Sequence, residues 1–120
     1  AHEVAHQVGA GTVPHLAFLT NCESRARFTF VVEDLPREAR LRLRHIASVL
    51  DGDRVYSPVT VVFNGSILAG NWSPGNRSWV SSAVWDVSTF VRHGPNELLI
   101  QLEDGFSQYW LEEIEVAGLP

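Results

Sequence analysis

Apolar and polar residues alternate along most of this chain, with the two-residue period of a β-strand. Leucines alternate with arginines over residues 40–44, and the odd positions of residues 59–63 are all apolar. Successive side chains of a strand point to opposite faces, so the pattern predicts leucines toward a core and arginines away from it. Helical spacing is never sustained for long enough to predict a crossover helix.

The alternating segments predict seven strands and two shorter early ones. The Asn64-Gly65 pair predicts a hairpin, because both residues tolerate a positive φ. A loop is predicted over residues 70–77, and a helical turn over 88–92 with Ser88 as its N-cap. The predicted strands cover residues 26–32, 40–44, 59–63, 66–69, 79–87, 98–102 and 111–116, with residues 4–8 and 16–19 before them. This arrangement predicts an all-β, antiparallel β-sandwich of the jelly-roll kind.

Composition limits the classes of function that need to be considered. The 120 residues suit one domain over residues 1–120, with residues 1–20 as an N-terminal strand or arm. A net charge of -5 argues against nucleic acid as the main partner, and no apolar run is long enough to span a membrane. The chain begins at Ala1 without an initiator Met, which predicts a processed secreted protein or an excised module. Cys22 is the only cysteine, which excludes an intramolecular disulfide.

Three segments in order resemble the galactose-binding-like jelly-roll superfamily, which includes several carbohydrate-binding modules and accessory sugar-binding domains of glycosidases and lyases. They are Val61-Val62-Phe63-Asn64-Gly65, Trp85-Asp86-Val87-Ser88 and Gly94-Pro95-Asn96-Glu97-Leu98-Leu99-Ile100. The closing residues 111–116 look like the last strand of family 6 and family 35 modules, with Glu in place of Asp. The resemblance implies the fold and a binding role. From their own chemistry, Asp86 and Asn96 are predicted to hydrogen-bond the turns beside them.

Aromatic residues near the predicted loop are the best candidates for a binding site. A sugar ring stacks its C–H face on an aromatic plane, while its hydroxyls need fixed donors and acceptors. Trp72 and Trp79 are predicted to stack on sugar, although both could instead close one end of the core. The resemblance supports Trp79, since residues 75–79 look like the platform segment of family 6 modules with two residues inserted. The predicted ligand-binding residues are Trp72, Trp79, Asn71, Asn76, Arg77, Tyr109 and Trp110.

Charged and metal-ligating residues leave three further possibilities. Arg40, Arg42 and Arg44 could contact an acidic partner, although a solvated face balanced by neighbouring Glu and Asp is the favoured interpretation. Of the five histidines, His2 and His6 would lie too far apart on a strand to hold one transition metal, although a helical turn would bring them together. The family resemblance implies a structural calcium, for which Glu3 and Glu112 are the nearest matches. No other cofactor is expected.

Known catalytic motifs are absent from the sequence. It contains no nucleophile elbow, zincin helix, P-loop or dinucleotide fingerprint, and its adjacent carboxylates would point to opposite faces of a strand. We therefore expect no enzyme. We expect instead a secreted, noncatalytic carbohydrate-binding module whose partner is a polysaccharide or glycan. The alternative is a structural or adhesive subunit that forms homo-oligomers through strand edges or its N-terminal segment.

Overall fold

A computed structural model describes residues 3–9, 11–19, 25–47, 58–72, 81–103 and 109–119, which form nine strands. None of these residues lies in a helix that could cross a membrane. The strands are β1 (Glu3–Gly9), β2 (Gly11–Leu19), β3 (Arg25–Val32), β4 (Glu38–Ala47), β5 (Val59–Phe63), β6 (Ser66–Trp72), β7 (Ser81–Asp86), β8 (Gly94–Leu102) and β9 (Tyr109–Leu119).

The strands form two sheets, which confirms the predicted all-β sandwich. The five-stranded sheet has the order β1-β3-β8-β5-β6, and the four-stranded sheet has the order β2-β9-β4-β7. Every pair is antiparallel except β1 with β3, which is parallel and departs from the predicted pattern. The reason is that β2 lies between β1 and β3 in the chain but belongs to the other sheet, so the chain reverses twice.

The core lies between the two sheets and follows the alternation of the sequence. Val59, Val61 and Phe63 are fully buried on one face of β5, as the odd-position pattern predicts. Leu41 and Leu43 are likewise buried on β4. Because both sheets place their apolar faces inward, the arginines of β4 are left on the outer face of the four-stranded sheet.

Strand β6 is longer than predicted and includes the start of the expected loop. Trp72 pairs with Val59, and two register shifts in the β5–β6 pairing accommodate the intervening residues. These shifts let Gly70 and Asn71 stay in the strand despite their turn-forming character. The prediction that Trp72 lies in a loop was therefore wrong.

One end of the sandwich is built around Asn64, at the hairpin after β5. Asn64 and Gly65 both have positive φ values, of 48° and 82°, as the Asn-Gly signal predicts. Asn64 Nδ2 donates to Asn96 Oδ1 and to the Phe90 carbonyl, each at 2.8 Å. Asn64 Oδ1 accepts the Glu97 N–H at 2.8 Å. The predicted structural role of Asn96 is confirmed, since this residue is buried and also bonds the turn that precedes β8.

The turn after β7 is capped by Asp86 and not by Ser88, which corrects the predicted N-cap. The Asp86 carboxylate accepts the Ser88 backbone N–H at 2.9 Å and the Ser88 hydroxyl. The turn itself is closed by a Val91 N–H to Val87 carbonyl bond of 2.9 Å. Ser88 Oγ accepts the Ala39 N–H at 2.9 Å, so the side chain expected to cap the turn instead joins it to β4. The hydrogen bonds from Ser88 lower the pKa of Asp86.

Candidate functional site

The predicted binding residues that the structure describes belong to one end of the sandwich, opposite the Asn64 hairpin. At this end, which we call the loop end, β4 and β6 finish while β5, β7 and β9 begin. Trp72 pairs with Val59 at the start of β5, and Tyr109 pairs with Ala47 at the end of β4. The Trp72 ring also lies 5.8 Å from the ring of His45 on β4. The topology therefore brings together the strand ends that carry Asn71, Trp72, Tyr109 and Trp110. Asn76, Arg77 and Trp79 lie outside the described residues, as does the Asn71 side chain.

Trp72 packs inward, between the edges of the two sheets. Its ring lies 5.5 Å from that of Trp85 in an edge-to-face arrangement and 5.8 Å from that of His45. The side chain is partly buried against the core. Trp72 therefore joins β6 of one sheet to β4 and β7 of the other. Of the two predicted roles, closing the end of the core is the one that these contacts support.

Tyr109 is buried together with His45 beneath the loop end. The Tyr109 hydroxyl lies 2.7 Å from His45 Nδ1, and both side chains are at most 1% exposed. Burial lowers the pKa of His45 to about 4 and raises the pKa of Tyr109, so this hydrogen bond joins two neutral groups. The Tyr109 ring has no face at the surface, so it offers no plane on which a sugar could stack.

Trp110 points to the opposite side of the four-stranded sheet from Tyr109. Its side chain is 46% exposed, which is unusual for the largest apolar residue type. Because neighbouring residues of a strand alternate between faces, the burial of Tyr109 and Leu111 directs Trp110 outward. Trp72 and Trp110 consequently lie on opposite sides of this sheet and do not share one cleft.

An ion-pair ladder lies on the same outer face as Trp110. Arg42 Nη2 donates to Glu113 Oε1 at 3.0 Å, and Arg42 Nε lies 3.3 Å from Glu115 Oε1. Arg44 Nη1 lies 3.5 Å from Glu113 Oε2. These contacts confirm the prediction that neighbouring carboxylates balance the arginine stripe. The sequence showed the alternation on each strand, but the cross-strand register that pairs them depends on the fold.

Glu3 and Glu112, the predicted calcium ligands, belong to strands of different sheets. They contain no group of three or more His, Cys, Asp or Glu side chains placed to hold a metal. Glu112 is the extra residue of a bulge in β9, and Glu3 begins β1 in the other sheet. Calcium prefers six to eight oxygen ligands, so these two strands alone do not fit it. The Glu3 side chain lies outside the described part.

An apolar cleft opens at the end of the sandwich opposite the loop end. It has a volume of about 310 Å³ and is lined mainly by Val32, Leu35, Pro36, Val91 and Val116. Polar groups are sparse there, since Asp34 is the one charged residue among its described lining residues. The cleft therefore lacks the hydrogen-bonding groups that hydroxyl recognition requires.

Sequence comparisons find no match, whereas comparisons with solved structures do. No family model and no curated protein matches the sequence. The pre-peptidase C-terminal domain of collagenase from Bacillus anthracis is similar in structure, with a TM-score of 0.55 and 17% identity over 98% of each chain.

Two carbohydrate-binding modules are also similar in structure. A family 35 module from an environmental isolate has a TM-score of 0.53 and 15% identity, covering 79% of this chain and 67% of the other. A family 36 module in complex with calcium and xylotriose has a TM-score of 0.51 and 12% identity, covering 92% and 91%. At these identities the likeness concerns the fold. This chain therefore has the β-sandwich fold of these solved domains.

Proposed function

We propose that this domain binds carbohydrate without catalysing a reaction, and that Trp110 is the main stacking residue. The observation that carries the proposal is the half-exposed Trp110 ring beside a ladder of charged donors and acceptors. An aromatic plane flanked by fixed polar groups matches the two faces of a sugar, one apolar and one rich in hydroxyls. The carbohydrate-binding modules with this fold support the same function.

The remaining predicted residues form a second part of the proposed site. Asn71 lies near the end of β6, and Asn76, Arg77 and Trp79 follow it in the chain before β7. They would contact sugar from the loop end, where Trp72 holds β6 in place. Trp72 thus acts in this proposal as a positioning residue. An extracellular location and the predicted absence of enzymatic activity belong to the same proposal.

The structural or adhesive alternative receives less support from the fold. Its N-terminal segment pairs within its own chain, because β1 adds to β3 and β2 adds to β9. A segment already used in both sheets would first have to leave them to join a neighbouring subunit. Homo-oligomers through other strand edges remain a prediction of that alternative.

Affinity electrophoresis and calorimetry against a panel of glycans test the proposal. We expect at least one polysaccharide to bind, and Trp110→Ala to weaken that binding roughly tenfold or more while leaving the fold intact. Val31→Ala is a matched control, since Val31 is 46% exposed, as Trp110 is, but lies on β3 of the other sheet. Absence of binding to every neutral and acidic glycan would refute the proposal.

A further inference from the structure

The outer face of the four-stranded sheet continues from Trp110 as an ordered polar surface. The register of β4 with β9 places Arg44 opposite Glu113 and Arg42 opposite Glu115. From Trp110 to Ala117 the face extends for roughly 20 Å at the usual rise of a strand. This surface is therefore long enough for several sugar units in a row.

The charges of the ladder cancel one another, and Arg40 beyond it lies opposite the Asp86 carboxylate. Glu113 forms ion pairs with both Arg42 and Arg44, and Glu115 forms one with Arg42. The side chains are 18–42% exposed, so a ligand can reach them while the sheet still restricts their motion. Such partly exposed pairs contribute little to stability, but each presents a donor next to an acceptor. Pairs of sugar hydroxyls need this combination, because every hydroxyl both donates and accepts.

The carboxylates on this face would repel an acidic glycan. A uronate carboxylate approaching Arg42 or Arg44 would come close to Glu113, and the like charges would repel. Arg42 Nη2 also already donates to Glu113 Oε1, and Arg42 Nε lies 3.3 Å from Glu115 Oε1. Binding a carboxylate would require an existing pair to break.

We propose that the ligand is a neutral polysaccharide, bound in extended form along this face from Trp110 across the Arg42, Arg44, Glu113 and Glu115 ladder. This inference rests on the proposed carbohydrate binding and adds the ligand class and the surface. Trp110 stacks on one sugar ring, and the ladder hydrogen-bonds the hydroxyls of the rings that follow.

The test compares neutral glycans, such as xylan, galactan and mannan, with polygalacturonate and alginate, using calorimetry at low and high salt. We expect the unmodified chain to bind a neutral glycan with little dependence on salt. Trp110→Ala should weaken binding roughly tenfold or more. Trp110→Phe should retain part of it.

Glu113→Gln tests the ladder and the charge argument together. The change removes one of the two carboxylates that balance Arg42 and Arg44, so we expect weaker binding to the neutral glycan and new, salt-sensitive binding to polygalacturonate. The matched control is Glu97→Gln, since Glu97 lies 3.6 Å from Arg27 in an ion pair on the other sheet. That variant should bind as the unmodified chain does. Thermal melts establish that each variant is folded.

Three other outcomes would overturn this inference. They also distinguish a failure of this inference from a failure of the proposed function. Salt-sensitive binding of the unmodified chain to acidic glycans alone would refute the ligand class. Neutral binding that Trp110→Ala and Glu113→Gln leave unchanged would refute the surface. In both cases carbohydrate binding itself would stand. No binding to any glycan would refute the proposed function and this inference with it.

Discussion

The rings of Trp72 and Trp85 meet edge to face, with their centroids 5.5 Å apart, across the gap between the two sheets. Trp72 ends β6 and Trp85 lies in β7, and each strand is the last in its sheet order. Aromatic pairs in this geometry stabilise beyond their buried area, by about 0.5–1.5 kcal/mol. The contact between these two rings therefore helps to hold the two sheets together at the loop end.

Trp72→Ala should lower the free energy of unfolding by about 2–4 kcal/mol, because it leaves a cavity beside His45 and Trp85. Trp72→Phe fills most of that space and should cost less than about 1.5 kcal/mol. Urea unfolding followed by fluorescence measures both. If Trp72→Phe is folded and binds glycan normally, Trp72 positions the strand; a large loss of affinity in that variant would make it a contact residue.

The strands of this fold were largely predictable from the sequence because their signals are local. The alternation in β4 and β5 and the Asn64-Gly65 hairpin need no knowledge of distant residues, and the structure confirms them. The position of Trp72 was not predictable in the same way. Gly70 and Asn71 resemble a loop, and pairing with β5 through register shifts keeps them in the strand.

The sequence predicted which types of residue form the candidate site. It did not predict which of their side chains face outward. Tyr109 and Trp110 are adjacent and both are large aromatic residues, so the sequence alone does not indicate which of the two side chains faces outward. That choice depends on the pairing of β9 with β4, which directs Tyr109 to His45 and Trp110 to the surface. The pairing of Arg42 with Glu113 joins residues 71 positions apart and has no local signal.

Acidification should destabilise the fold through His45. Burial lowers the pKa of this residue to about 4 from about 6.5, so the folded state binds fewer protons than the unfolded state between these values. The contribution of the neutral ring is complete above about pH 6.5 and is lost as the pH falls toward 4. The full loss is about 3 kcal/mol. Urea unfolding at about pH 7.5 and about pH 5 measures the trend.

A pair of variants isolates the His45 contribution from that of the carboxylates. Tyr109→Phe removes the hydroxyl that bonds His45 Nδ1 but leaves the imidazole to titrate, so it should keep the pH dependence. The double change His45→Phe with Tyr109→Phe removes the titrating group and should flatten the curve above about pH 5. If both variants lose the same stability on acidification, a group other than His45 is responsible for the pH dependence.

Asn96→Ala should lower the free energy of unfolding by about 2–4 kcal/mol, because it removes a buried side chain and leaves several partly buried groups without hydrogen bonds. The lost bonds include those with Asn64 Nδ2 and with the backbone N–H and carbonyl of Arg92. Thr89→Ala, an exposed polar change on the neighbouring turn, should stay within about 0.5 kcal/mol. Equal effects of the two changes in urea unfolding would argue against the network as a stabilising unit.

The calcium prediction is tested by thermal unfolding with calcium and with a chelator. If Glu3 and Glu112 hold a calcium ion, the ion should raise the Tm by several degrees, since a ligand that binds only the folded state stabilises it. Glu112→Gln should abolish the difference, and Glu103→Gln, an exposed position, should keep it. Identical melting curves with calcium and with chelator would refute this site.

Gly118 lies where β9 passes closest to the segment between β3 and β4. A Cβ atom at this position would lie 2.8 Å from Pro36 Cβ and 3.1 Å from Pro36 Cγ. The proline ring is rigid, so the backbone would have to shift, and Gly118→Ala should cost about 1–3 kcal/mol. Gly70→Ala is the matched control, because its Cβ would meet Ile67 Cγ2 at an ordinary 3.6 Å. That change should be neutral or stabilise by up to about 1 kcal/mol.

The double variant of Gly118→Ala with Pro36→Gly tests the proposed cause. Removing the proline ring eliminates the atoms that the new methyl group would meet, so the double variant should be more stable than the sum of the two single changes predicts. Urea unfolding of the four proteins gives this coupling directly. Additive changes would show that Gly118 is required for a reason other than the approach of Pro36, such as the pairing of β9 with Ala39 on β4.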